Sequence, residues 1–83
     1  MEQAEQLLQQ ANSVFVEDQV DKALDLYNQS LALNKSAEAL VKRSICHYKL
    51  KHYAESIADA NSALQLEPDN SKAFLRKGYF LSF

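Results

Sequence analysis

The feature that most constrains this chain is that it repeats itself. Shifted by 33 residues, the sequence lies over its own pattern: Leu7 falls on Leu40, Ala11 on Ser44, Phe15 on Tyr48, Ala23 on Ser56, Leu24 on Ile57, Asn28 on Asn61 and Leu31 on Leu64. A third copy starts one residue further on, with Leu40 to Phe74 and Ser44 to Gly78 each 34 apart. Self-similarity at a fixed period of this length marks a solenoid, because one such unit cannot bury its apolar face alone and must stack on the next. The usual product of stacking is an extended binding surface rather than a catalytic pocket.

Within each copy the apolar residues recur at spacings of three and four. Leu7, Leu8, Ala11, Val14 and Phe15 form one such series, and Val20, Ala23, Leu24, Tyr27 and Leu31 form the next. Both spacings belong to one face of an α-helix. Only Glu17, Asp18 and Gln19 separate the two series, so the helices must fold back as an antiparallel pair. Asp18 is the expected N-cap of the second helix. The break at Asn34-Lys35-Ser36 offers Ser36 as N-cap of a third helix, with Glu38 in its first turn. A fourth helix runs through Tyr53, Ile57, Ala60, Ala63 and Leu64 and is ended by Pro68. A fifth is expected from Ser71 onward. One Gly and one Pro in 83 residues agree with an all-α fold, since helix interiors exclude both. Ala11, Ser44 and Gly78 on one set of helices, and Ala23 and Ser56 on the other, are small residues at matching points that permit close helix approach.

The charges are segregated. Residues 1–34 carry six acids against Lys22, a balance of −5, and residues 35–83 carry eight bases against five acids, a balance of +3. A net charge of −2 does not describe a nucleic-acid binder, which would be basic with a clustered patch. The asymmetry instead sets the sign of different stretches of one groove. Cys46 has no second cysteine to pair with, no basic-then-apolar leader follows Met1, and no apolar run approaches the roughly 18 residues of a membrane span. The expectation is a cytoplasmic chain, present also in the nucleus, with no membrane partner.

Catalytic and metal chemistry find little support. Cys46 and His47 are neighbours on one helix and diverge, and with His52 they lack a fourth ligand, so packing and surface roles are expected and no metal site. The same divergence removes a Cys–His nucleophile pair. Asp18, Asp21 and Asp25 lie outside any Gly-bearing calcium loop, and Gly78 alone makes no phosphate loop. The chain is read as non-enzymatic and free of cofactors.

These residues resemble the tetratricopeptide repeat (TPR) family, whose unit is a helix-turn-helix of 34 residues. The second unit carries the pattern most fully in Leu40, Ser44, Tyr48, Tyr53, Ser56, Ala60, Ala63 and Pro68. The first carries Leu7, Ala11, Phe15, Ala23, Tyr27 and Ser30, is one residue shorter, and has Lys35 where Pro is usual. The resemblance implies a right-handed superhelix of antiparallel helix pairs in a single domain over residues 1–83. Repeat 1 covers about 4–36, repeat 2 about 37–70, and a partial repeat 3 about 71–83. An apolar ending at Tyr79-Phe80-Leu81-Ser82-Phe83, where a terminal helix would be polar outside, suggests a piece of a longer array, with dimerisation as the alternative.

What the resemblance implies for function is a groove lined by the first helix of each unit. Here that groove would present Leu8, Gln9, Asn12 and Phe15, then Val41, Lys42, Ile45 and Lys49, then Lys72, Leu75, Arg76 and Tyr79. Some TPR co-chaperones clamp the C-terminal carboxylates of heat-shock chaperones with two Lys, two Asn and one Arg. Asn12, Lys72 and Arg76 match that set, while Leu8 and Lys42 replace a Lys and an Asn. Lys72 and Arg76 are thus expected to fix an anionic group and Asn12 to bond a partner's backbone. Phe15, Ile45 and Tyr79 would supply apolar contact, with Lys42 keeping the groove basic and Lys49 a further partner-binding residue. Ala58-Asp59-Ala60-Asn61, Leu66-Glu67-Pro68 and Lys72 to Gly78 are also similar to the N-terminal TPR domain of the Sgt co-chaperone family, which is associated with ubiquitin-ligase adaptors and self-association. Two rival readings stand beside groove binding: a self-assembly domain forming homodimers, and the targeting domain of a TPR-bearing phosphatase or prolyl isomerase.

Overall fold

A computed structural model of the chain describes residues 2–67. Four α-helices occupy nearly all of them: α1 Glu2–Val16, α2 Val20–Leu33, α3 Ala37–Lys49 and α4 Tyr53–Leu66. The fold is all-α, as the periodicity requires. Each hairpin, α1/α2 and α3/α4, packs on itself most extensively, and α2 then packs on α3. The fifth helix expected after Pro68 lies outside the described residues.

The helix-crossing points are where the repeat predicts them. Ala11 and Ala23 in the first hairpin, and Ser44 and Ser56 in the second, have no exposed surface. In the second hairpin each serine hydroxyl donates to the other's backbone carbonyl, Ser44 Oγ to Ser56 O at 2.8 Å and Ser56 Oγ to Ser44 O at 2.7 Å. The same approach is therefore made by two methyl groups in one unit and by two fully satisfied hydroxyls in the next. Burying those hydroxyls costs little because both are bonded. A third buried hydroxyl, Ser30, donates to Ala4 O at 2.9 Å and fastens the end of α2 to the start of α1. Around these points one apolar cluster joins Leu8, Ala11, Ala23, Tyr27, Ala39 and Cys46, and a second joins Ala37, Leu40, Val41 and Ala63. Leu31 packs against both and links the two hairpins.

The two intra-hairpin turns are copies of one motif. Asp18 N–H bonds to Phe15 O and Gln19 N–H to Val14 O, and 33 residues later Lys51 N–H bonds to Tyr48 O and His52 N–H to His47 O. This is the Schellman ending, which places one residue in the left-handed region. That residue is Asp18 at φ 64° and Lys51 at φ 67°. Asp18 is thus not the N-cap of α2; Gln19 is, without a side-chain bond. Its carboxylate cannot cap because its backbone is already turned to close α1. Ser36 does cap α3, its hydroxyl accepting from Ala39 N–H at 3.2 Å.

Two stability measurements follow from this geometry. Ser44→Ala removes one hydrogen bond and is expected to cost about 0.5–1.5 kcal/mol, whereas Ser44→Leu forces the helices apart and should cost a further ~1–3 kcal/mol. Urea midpoints at unchanged m-value would show this ranking, and a Ser44→Leu protein as stable as Ser44→Ala would remove close approach as the organising contact. Lys51→Gly relieves about 1–2 kcal/mol of left-handed strain against roughly 0.5–1 kcal/mol of added chain entropy. The net gain should raise Tm by about 2–4 °C; a lower Tm would mean that Lys51 is not strained.

Candidate functional site

The helices α1 and α3 lie near enough for their side chains to meet across the repeat boundary. Phe15, half-buried near the end of α1, is the centre of that meeting. The Lys42 ammonium sits 5.7 Å from the Phe15 ring centroid and the Lys49 ammonium 5.5 Å. The structure therefore brings together three of the residues singled out from sequence, as two cations against one aromatic ring. Each such contact is worth about 0.5–1 kcal/mol at an exposed site, less than an ammonium gains from a carboxylate in a partly desolvated groove. Lys49 also pairs with Asp18 at 3.8 Å, but Asp18 is 82% exposed and the pair is weak. Among the described residues no carboxylate pairs with Lys42. Ile45 is half-buried beside the Leu40–Val41–Ala63 cluster.

Asn12 is tied into the protein. Its Oδ1 accepts from the Tyr27 hydroxyl, and its Nδ2 donates to Glu38 Oε2 at 3.5 Å. Tyr27 is fully buried, so its hydroxyl needs that acceptor. Burial raises the phenol pKa far above its ordinary value, which keeps the proton on the donor. Asn12 thus spans α1, α2 and α3 before any partner arrives. Leu8 and Val41, expected to line the groove, are 5% and 2% exposed and belong to the core. Each sits at the margin between the groove face and the hairpin face of its helix, and an apolar residue at a margin turns inward. Lys72, Arg76 and Tyr79 lie outside the described residues.

A polar cluster that sequence reasoning missed joins three helices. Arg43 Nε and Nη2 grip both oxygens of Asp59 at 2.8 and 2.7 Å, and Arg43 Nη1 donates to Asn28 Oδ1 at 3.0 Å. Asp59 is 6% exposed, and only this two-point grip makes its burial tolerable. The bond to Asp59 raises the Arg43 pKa, outweighing burial, so the guanidinium stays charged. The signal was present in the repeat itself: Asp59 stands where the first unit has Leu26, and Arg43 where it has Gln10. An acid replacing an apolar residue at a core-facing position calls for a buried partner.

On another side, an open pocket of about 200 Å³ lies between the start of α1, the end of α2 and the start of α3, bordered by Glu5, Glu38, Glu67, Asn34 and Ser36. Its rim is acidic, opposite in sign to the Phe15 site. No group of three metal-ligating side chains occurs among the described residues, and none of the described helices is long and apolar enough to cross a membrane.

Comparison with known proteins places this geometry. Residues 37–70 match the tetratricopeptide repeat family model. The SGT1 homologue of Oryza sativa subsp. japonica is 42% identical over 76 residues, covering 90% of this chain and 21% of that protein. Heat shock protein STI1 of Saccharomyces cerevisiae is 29% identical over 77 residues, covering 90% of this chain and 13% of that protein. The chain thus spans about a fifth or less of the length of these relatives. Among solved structures, the Arabidopsis OM64 TPR domain superposes with a TM-score of 0.91 at 26% identity, over 94% of this chain and 65% of that one. The two hairpins with their repeated turns and small crossing residues have the architecture of a TPR domain, and the second of them matches the tetratricopeptide repeat family model.

Proposed function

We propose that this chain is a non-catalytic protein-interaction module of the co-chaperone type, which holds an acidic segment of a partner along α1 and α3. The observation that carries the reading is the pair of ammonium groups set over the Phe15 ring. An aromatic face offers each lysine only partial compensation, so an incoming carboxylate is the stronger partner for both. Half-buried Ile45 and Phe15 give such a segment an apolar footing, and the family resemblance implies a cationic role for Lys72 and Arg76 beside them. Asn12 then contributes mainly by fixing α1 against α3. The similarity to SGT1 homologues and to heat shock protein STI1 supports a chaperone-related partner as the source of the segment; a ubiquitin-ligase adaptor is the source that the Sgt-family resemblance implies, and a cytoplasmic and nuclear place of action belongs to the same proposal.

The test is fluorescence anisotropy with a labelled acidic peptide ending in a free carboxylate, against the same peptide amidated. Lys42→Glu/Lys49→Glu should weaken binding at least about ten-fold, which is ~1.4 kcal/mol, and wild-type affinity should fall as salt rises. Equal affinity of wild type and double variant would remove the α1/α3 face as the binding surface. Arg76→Ala in parallel shows whether the carboxylate itself is read: its loss should erase the preference for the free acid over the amide.

A further inference from the structure

The α3/α4 turn brings two imidazoles together in a way the first hairpin does not. His47 lies in the last turn of α3 and His52 is the N-cap residue of α4. Their Nδ1 atoms stand 3.3 Å apart, with ring centroids at 5.5 Å. Without a bound ion, one ring N–H can donate to the other ring's nitrogen across that gap, the direction depending on the tautomer. The separation also matches the edge of a tetrahedron: two nitrogens each bound at about 2.0–2.1 Å to a zinc ion lie roughly 3.3–3.4 Å apart. The far side of the His47 ring, Nε2, faces Asp59 Oδ2 at 3.8 Å, and Asp59 is held by Arg43. At 3.8 Å the carboxylate does not accept a hydrogen bond from the ring, but its charge favours the proton on Nε2 and leaves the Nδ1 lone pair toward His52, the tautomer that a ligand bound through Nδ1 requires.

We propose that His47 and His52 form a two-histidine site for a late first-row divalent cation such as Zn²⁺, with Asp59 as the orienting group and water completing the coordination. Such an ion would staple the end of α3 to the start of α4. Cys46 takes no part, for its thiol is fully buried in the core and burial pushes its pKa up to about 11. The corresponding positions of the first hairpin are Val14 and Gln19, so that turn has no such site.

The experiment is a titration of the 83-residue chain with zinc chloride at pH 7.5, followed by calorimetry, by the histidine ring signals in NMR and by Tm with and without EDTA. One saturable site in the micromolar range is expected, with both histidines shifting together and Tm rising with metal. His52→Gln should weaken binding at least about ten-fold while keeping the metal-free Tm, since His52 is exposed and makes no capping bond with its side chain. Lowering the pH to 5.5 should weaken wild-type binding, because protons must leave before the metal enters. No saturable binding below millimolar zinc, or equal binding by wild type and His52→Gln, would overturn the site.

Discussion

The structure depends on how closely two helices of a hairpin can approach. Ala11 against Ala23, and Ser44 against Ser56, are the contacts at which no larger side chain fits. Once the axes are that close, the large residues on either side interlock around the crossing, and Leu8, Tyr27, Leu40 and Val41 become core. Tyr27 shows the consequence: its ring is entirely buried, and its hydroxyl then has to be met by Asn12 from the other helix. The hydrogen bonds that tie α1 to α2 and α3 are thus downstream of one steric condition.

That condition was legible in the sequence because it recurs. Small residues 33 apart, apolar series at helical spacing and three-residue gaps located both hairpins and their turns. Periodicity also put Phe15, Lys42 and Lys49 on first helices; that they share a face was implied by the family resemblance, and their contact comes from the structure. What periodicity does not encode is the behaviour of residues at a boundary between two faces. Leu8 and Val41 share a helical spacing with the groove residues as well as with the core, and burial energy decided between them. Asp18 was misplaced for a related reason: an aspartate before a helix is a good cap, but it also tolerates the left-handed conformation, and the closing of α1 claimed it first.

The two units use one backbone plan for different ends. Each intra-hairpin turn has the same pair of backbone bonds, so the turn is held by main chain and places little demand on side chains. In the first hairpin the positions beside it are Val14 and Gln19, and the Gln19 side chain reaches only Glu17 within the turn. In the second they are His47 and His52, backed by Asp59 and Arg43. The exchange of Leu26 for Asp59 costs apolar burial and is recovered only through the two-point grip of Arg43, which also reaches Asn28 of the preceding unit. A polar cluster in a repeat protein can therefore appear in one unit without disturbing the fold of the next.

This separation of framework from decoration explains how one small array can present faces of opposite character. The crossing residues are internal to each hairpin and carry no charge, so the outer positions of α1 and α3 are constrained mainly by solvation. Lys42 and Lys49 gather on Phe15, while Glu5 and Glu38 near the starts of the same helices, with Glu67 at the end of α4, border the pocket. Asn12 and Glu38 connect the two regions through one hydrogen bond. In the binding mode proposed above, a carboxylate that drew Lys42 and Lys49 off the Phe15 ring would open the ring to the ligand's own apolar atoms, so charge recognition and apolar contact would be one event.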